Sequence, residues 1–217
     1  MSLKKVILIF AVMLIVLVLA GTGYASASPP AEEWNRTYEV GGLTSVESFQ
    51  QTADSGYILT TYYYTIGNSY FFFDHIYMLK IGPTGSEQWN RTFSESFSGN
   101  RIISVLETSD GGYLIAGSIS TYNNWNCTDD VWLVKMNTQG QELWNLTLEG
   151  IDNEEVEFVQ QTTDGGYILI GNTNSYDVGT FKIWFVKVDS NGNVQWNNTF
   201  GGTEGQIIPL DISVITV

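Results

Sequence analysis

After residue 27 the apolar positions fall into short runs divided by Gly, Asn and Asp, and no stretch carries a helical period of about 3.6 residues. The runs come in sets of four. The last complete set reads Gln160-Gln161-Thr162, Tyr167 to Ile170, Ile183 to Val188 and Val194 to Phe200. Its third run is apolar at nearly every residue, as a strand is when other sheets cover both of its faces. Its fourth run alternates, with Trp196 and Phe200 on one face and Asn197 and Thr199 on the other. Each set therefore predicts four β-strands.

The sets repeat. Trp34-Asn35-Arg36-Thr37-Tyr38, Trp89-Asn90-Arg91-Thr92-Phe93, Trp144-Asn145-Leu146-Thr147-Leu148 and Trp196-Asn197-Asn198-Thr199-Phe200 are one outer-strand segment, recurring at roughly fifty-residue intervals. The third strand recurs as Ile76-Tyr77-Met78-Leu79-Lys80, Val131-Trp132-Leu133-Val134-Lys135 and Ile183-Trp184-Phe185-Val186-Lys187. Between the first two strands stand Thr52-Ala53-Asp54-Ser55-Gly56-Tyr57, Thr108-Ser109-Asp110-Gly111-Gly112-Tyr113 and Thr162-Thr163-Asp164-Gly165-Gly166-Tyr167. An Asp-Gly pair between β-forming runs predicts a hairpin with a type I′ turn, whose central residues both take φ > 0. Between the last two strands, Gly82-Pro83-Thr84-Gly85, Asn137-Thr138-Gln139-Gly140 and Asp189-Ser190-Asn191-Gly192 fit type I turns.

Aromatic-rich four-stranded units of this size predict an all-β chain: a β-propeller-like array of about three four-stranded antiparallel blades in an incomplete ring, behind an N-terminal signal or anchor helix. The expected boundaries are a signal segment at 1–27, a first repeat with a leading orphan strand at 28–93, repeats at 94–148 and 149–202, and a truncated start of a fourth at 203–217.

Taken together, Asp-Gly-Gly-Tyr, Asp130-Val131-Trp132-Leu133-Val134-Lys135 and Gly140 followed by Trp144 and Thr147 form a pattern that resembles the propeller repeats of secreted and surface proteins of archaea and bacteria. The resemblance runs from Trp34 to about Gly202. The second repeat carries it whole, the first departs from it at Ser55 and His75, and the third has Lys182 for the leading Asp. It implies an exported propeller and names no activity.

The address agrees. Lys4 and Lys5 precede an apolar run from Val6 to Ala20, and Ala25-Ser26-Ala27 offers a small-residue cleavage site, the order of a secretory signal peptide. The expected location is extracellular or the cell surface, with contact to membrane only if the segment stays on as an anchor. The formal net charge is −14, and removing two lysines makes it more acidic, which argues against nucleic acid or anionic membrane surfaces as partners. The single cysteine, Cys127, allows no internal disulfide, so stability has to come from the core or from assembly.

Candidate chemistry is sparse. His75 is the one histidine, and Cys127 sits beside Asp129 and Asp130, which oppose thiolate formation. Glu154, Glu155 and Glu157 read as a solvated acidic loop. Asp189 to Asn193 resembles the start of a calcium loop without its terminal Glu, and the hairpin reading is preferred. No catalytic residue, metal or cofactor is expected. Lys80, Lys135 and Lys187 share one repeat position and read as scaffold; so do all the seven tryptophans but Trp125.

Trp125 lies between strands two and three, in a polar stretch from Tyr122 to Asp130 that reads as a loop. With Tyr122, Asn124, Tyr63, Tyr70, Phe72 and Tyr176 it forms the candidate ligand-binding rim, since aromatic faces beside amides suit sugar rings or apolar protein patches. At least half of these aromatics are expected to extend strands and pack between blades. Asn35, Asn90, Asn126, Asn145 and Asn197 each open an Asn-x-Thr sequon and are candidate glycosylation sites.

The function expected from these readings is a non-enzymatic secreted or cell-surface propeller that binds a protein or carbohydrate through its loop rim. The alternatives are a propeller-type hydrolase or lyase, and a truncated piece of a longer surface protein. Strands left over at both ends, Ile212 to Val217 among them, are expected to promote self-association.

Overall fold

The computed structural model of the chain describes residues 33–41, 43–66, 72–94, 101–123, 126–175 and 181–201. The signal segment, Tyr70, Asn124, Trp125, Tyr176 and the tail from Ile212 lie outside the described residues. The fold is all-β, with no helix among the described residues, and none there long and apolar enough to cross a membrane.

Three antiparallel four-stranded sheets follow one another along the chain in a propeller-like arrangement. The first holds β1 (Leu43–Gln51), β2 (Tyr57–Ile66), β3 (Phe72–Ile81) and β4 (Glu87–Ser94). The second holds β5 (Arg101–Glu107), β6 (Tyr113–Asn123), β7 (Asn126–Met136) and β8 (Glu142–Leu148). The third holds β9 (Glu154–Gln161), β10 (Tyr167–Thr173), β11 (Lys182–Val188) and β12 (Val194–Phe200). Each is a meander in sequence order.

The same irregularities recur in each sheet. The third–fourth strand ladder shifts beside the repeated lysine, between Lys80 and Ile81, Lys135 and Met136, and Lys187 and Val188. A bulge at a fixed repeat position raises the local twist and aims the neighbouring side chain.

The first turns are not type I′. Only the residue after each Asp takes φ > 0: Ser55 at 63°, Gly111 at 76° and Gly165 at 80°. The amide of that residue donates to the Thr carbonyl three positions back, as Gly111 N does to Thr108 O at 2.8 Å, while Thr108 N donates to Gly112 O at 2.9 Å. This is a type I turn finished by one left-handed residue. Asp keeps ordinary φ there, as the central residue of a type I turn does. The second turns are type I as expected, with Gly85, Gly140 and Gly192 left-handed at the fourth position.

The core lies between sheets. Ile58, Ile76 and Met78 of the first sheet meet Ile102, Val105, Ile115 and Val134 of the second in one cluster. Ala116, Val131 and Leu133 meet Val156, Leu169 and Val186 of the third in another. The middle third strand β7 is therefore buried from Val131 to Met136, covered on both faces as its unbroken apolar run requires.

Candidate functional site

Each first turn is clasped by a lysine. Lys135 Nζ, on β7, donates to Asp110 Oδ1 at 3.0 Å and to Met136 O at 3.0 Å. Asp110 Oδ1 also accepts from Gly112 N at 3.0 Å and from the Thr108 hydroxyl. Lys80 with Asp54 and Lys187 with Asp164 repeat the arrangement at 2.9 Å and 3.0 Å. The three lysines are buried and the carboxylates stand half in solvent. Burial pushes the Asp54 and Asp110 carboxyls up, but the Thr hydroxyl, the lysine and the Gly amide outweigh it and hold both down at about 2. Asp164 is held low chiefly by Thr162, Gly166 N and Lys187.

The junctions between sheets are built from the other repeat signature. Trp89, on β4, lays its ring on Gly140 of the second sheet's second turn and donates from Nε1 to Thr138 O at 3.2 Å. A Cβ on Gly140 would lie 2.7 Å from that ring, so the turn needs glycine for space as well as for φ. The same indole meets Tyr113 edge to face, with centroids 5.5 Å apart. Arg91 adds bonds to Gly140 O at 2.9 Å and Gln139 O at 3.0 Å. Trp144 repeats the junction on the third sheet, over Gly192 and beside Tyr167 at 6.0 Å, with Nε1 donating to Ser190 O at 3.0 Å. Burial first, then the nearby carboxylates, pushes the Tyr113 and Tyr167 hydroxyls up to about 12.

A third junction of this kind is made by a segment without a sheet. Residues 33–40 carry no strand, yet Trp34 rests on Gly85 and meets Tyr57 edge to face at 6.0 Å, and Tyr38 donates to Gly85 O at 2.6 Å. Tyr38 also packs on Leu59, Leu79 and Ile81.

The fourth Trp has no turn beneath it among the described residues. Trp196 is 44% exposed and Phe200 56%, whereas Trp89, Phe93, Trp144 and Leu148 are half-buried. The sheet face beside them is open too. Ile168, Ile170, Ile183 and Phe185 are only half-buried, although their counterparts Leu114, Ala116, Val131 and Leu133 are fully buried. On the first sheet, Val46 and Phe49 are exposed at the positions where β5 buries Ile102 and Val105. The molecule thus presents one half of its own sheet-to-sheet junction on the third sheet and, beside the seated residues 33–40, part of the other half on the first, and this pair of faces is the candidate functional site.

The expected aromatic rim is differently built. Tyr122 and Phe72 lie on strands β6 and β3, and Tyr63 on β2 stacks on His75 at 4.7 Å. The stretch around Trp125 is not a long loop: β6 and β7 pair out to Asn123 and Asn126, leaving two residues between the strands. A polar composition suggested a loop there, but each ladder bond satisfies those polar strands as well as apolar ones. Asn35, Asn90, Asn145 and Asn197 are exposed, and Asn126 lies on β7.

Glu154 is not in a solvated loop. It stands on β9, 2% exposed, two residues before the buried Val156 on the same face. Its Oε1 accepts from Thr173 Oγ1 at 2.7 Å, and Oε2 faces the Ser175 hydroxyl without hydrogen-bonding geometry. Burial pushes this carboxyl above the usual range; Ser175 and Thr173 oppose the shift, and Asp130 and Asp152 add to it. Asp189 spends its carboxylate on its own turn, accepting from Asn191 N at 2.8 Å and Asn193 N at 2.9 Å. No group of three or more His, Cys, Asp or Glu side chains arranged for a metal occurs among the described residues.

No family model matches the chain, and no curated protein matches it. Solved structures similar to it include an ACO/RPE65 chimera, at 10% identity and a TM-score of 0.44, covering 72% of this chain and 39% of that one. Cobalt-substituted Synechocystis ACO matches at 12% identity and 0.43, over 70% of this chain and 37% of that one. A variant of Synechocystis apocarotenoid oxygenase matches at 10% and 0.41, with 70% and 37% covered. The chain spans less than two fifths of the length of these structures. The expectation of a non-enzymatic binder of protein or carbohydrate is not borne out by these comparisons, which name an apocarotenoid oxygenase, and it is not carried further. Identities and TM-scores this low carry no activity over to it in turn.

Proposed function

We propose that the three sheets are propeller blades and that the chain is an assembly module, whose task is to add its blades to a larger ring through the open face of the third blade. The observation that carries this reading is Trp196. Its counterparts Trp34, Trp89 and Trp144 each lie on a left-handed glycine of another turn, and Trp196 alone of the four points its indole at solvent. Around it, Phe200 is exposed and Ile183 and Phe185 are half-buried, an apolar face where the repeat elsewhere buries one. The basic, apolar and small residues from Lys4 to Ala27 support an exported chain in which this assembly takes place outside the cell.

The reading is tested by placing charge in the centre of the open face. Phe185→Lys adds an ammonium that a docked blade would bury unpaired, while the free molecule can solvate it. Weaker self-association with an unchanged melting temperature supports the module. Association that ignores the substitution removes this face from the account.

A further inference from the structure

Resting on that reading, we propose that the partner is a second copy of this chain, whose strand β12 takes the place held by residues 33–40 on the first blade. The two segments are alternative occupants of one groove.

Their sequences correspond residue by residue. Trp34-Asn35-Arg36-Thr37-Tyr38 and Trp196-Asn197-Asn198-Thr199-Phe200 share the Trp, the Asn, the Thr and the closing aromatic. The groove is made of Gly85, Tyr57, Leu59, Leu79 and Ile81, the same repeat positions that receive Trp89 and Trp144 in the other two blades. What fits Trp34 therefore fits Trp196.

The two occupants differ in how they are held. Residues 33–40 carry no strand and stay on the blade through side chains such as Trp34 and Tyr38. Strand β12 is paired to β11 from Ile183↔Phe200 to Val188↔Val194, so it arrives already ordered and loses little conformational freedom on docking. It also brings a whole face. Ile168, Ile170, Ile183 and Phe185 would cover Val46 and Phe49 of the receiving blade, which residues 33–40 leave exposed.

A polar contact completes the match. At the first junction Ala53 N donates to Glu107 Oε2 at 2.7 Å, and at the second Ser109 N donates to Gln161 Oε1 at 2.7 Å. The next donor in the series is Thr163 N and the acceptor at the equivalent place on the first blade is Gln51, both exposed. A second copy brings them together. Two copies joined head to tail place six blades in a ring with one junction used twice about a twofold axis, inside the natural range of about four to eight.

The experiment is sedimentation velocity on the parent protein, Trp196→Ala and Trp34→Ala, each checked for a cooperative melt. Trp196→Ala removes the incoming anchor and is expected to weaken association about tenfold or more. Trp34→Ala loosens the resident segment and is expected to strengthen association into a species of twice the chain mass with the cooperative melt retained, whereas general damage to the fold gives larger aggregates. A synthetic peptide of residues 33–40, added in excess, is expected to return the parent to monomer, and it serves as well if Trp34→Ala does not fold. Association lost in Trp196→Ala but insensitive both to Trp34→Ala and to the peptide overturns the exchange and leaves the assembly module standing. A parent that stays monomeric under all conditions overturns both.

Discussion

Lys135 buries its ammonium under the first turn of the second sheet and meets the Asp110 carboxylate at 3.0 Å, while that carboxylate keeps one side in water. The pair is asymmetric, and the asymmetry sets what each substitution does. Asp110→Ala leaves a buried ammonium with only Met136 O and is expected to cost about 3 kcal/mol, the lower end for a broken buried pair. Lys135→Met leaves a carboxylate that water can solvate and an apolar side chain in an apolar place, and is expected to cost about 1 kcal/mol. Chemical denaturation of the two variants checks the order. Equal losses would mean that the pair acts as a surface ion pair.

The turns above these pairs separate two uses of glycine. A Cβ on Gly111 would meet Thr138 Cγ2 at 3.4 Å, ordinary van der Waals contact, so the cost of Gly111→Val comes chiefly from its φ of 76°, about 1–2 kcal/mol. At Gly112 a Cβ would sit 2.3 Å from Met136 O and 2.5 Å from Lys135 Nζ, so even Gly112→Ala breaks the clasp and is expected to cost about 3 kcal/mol or more. Ser55→Gly relieves a left-handed serine and is expected to be neutral or stabilising by up to about 1 kcal/mol. Thermal melts of the three variants give the ranking.

Titration acts on the fold in two opposite directions. The Asp54 and Asp110 carboxyls are depressed, so the stability they contribute is present above the ordinary Asp value and is lost as pH falls from about 4 towards about 2. Glu154 is raised, so its contribution is present in acid and is lost as pH rises through its folded value. Glu154→Gln keeps the shape and removes the buried charge. The melting temperature of Glu154→Gln is expected to match the parent near pH 4 and to exceed it at pH 7. A difference that does not change with pH would show that Glu154 is not the titrating group.

Much of this was legible in the repeat. The four strands per unit and the type I turns ending at Gly85, Gly140 and Gly192 follow from the spacing of apolar runs and glycines. The Asp and the Lys of each clasp are visible as repeat positions, but their partnership is not. Ion pairing between residues such as Asp110 and Lys135 is set by the β6–β7 register and not by any local pattern. The tryptophans were recognised as core, while the sheet each one covers lies one repeat further on, as Trp89 over Gly140 shows. The charge of Glu154 points to a solvated loop, and the structure buries it. Its place two residues before Val156 in an alternating strand was the signal that it faces inward. The open face, with Trp196 and Phe185 at its centre, has no signature in the sequence, because Trp196 occupies the same repeat position as the covered Trp89 and Trp144.

The central claim is that the Trp196 face docks onto the blade that displays Val46 and Phe49. Its most direct measurement is the molar mass of the parent protein by sedimentation equilibrium, from about one to tens of micromolar, at low and at moderate salt. With 23 acidic against 9 basic residues the chains repel one another, so screening should favour association that apolar burial drives. The expected result is a mass that rises with concentration to a plateau at twice the chain mass, reached earlier at the higher salt. A single-chain mass at every concentration and both salts would contradict the account.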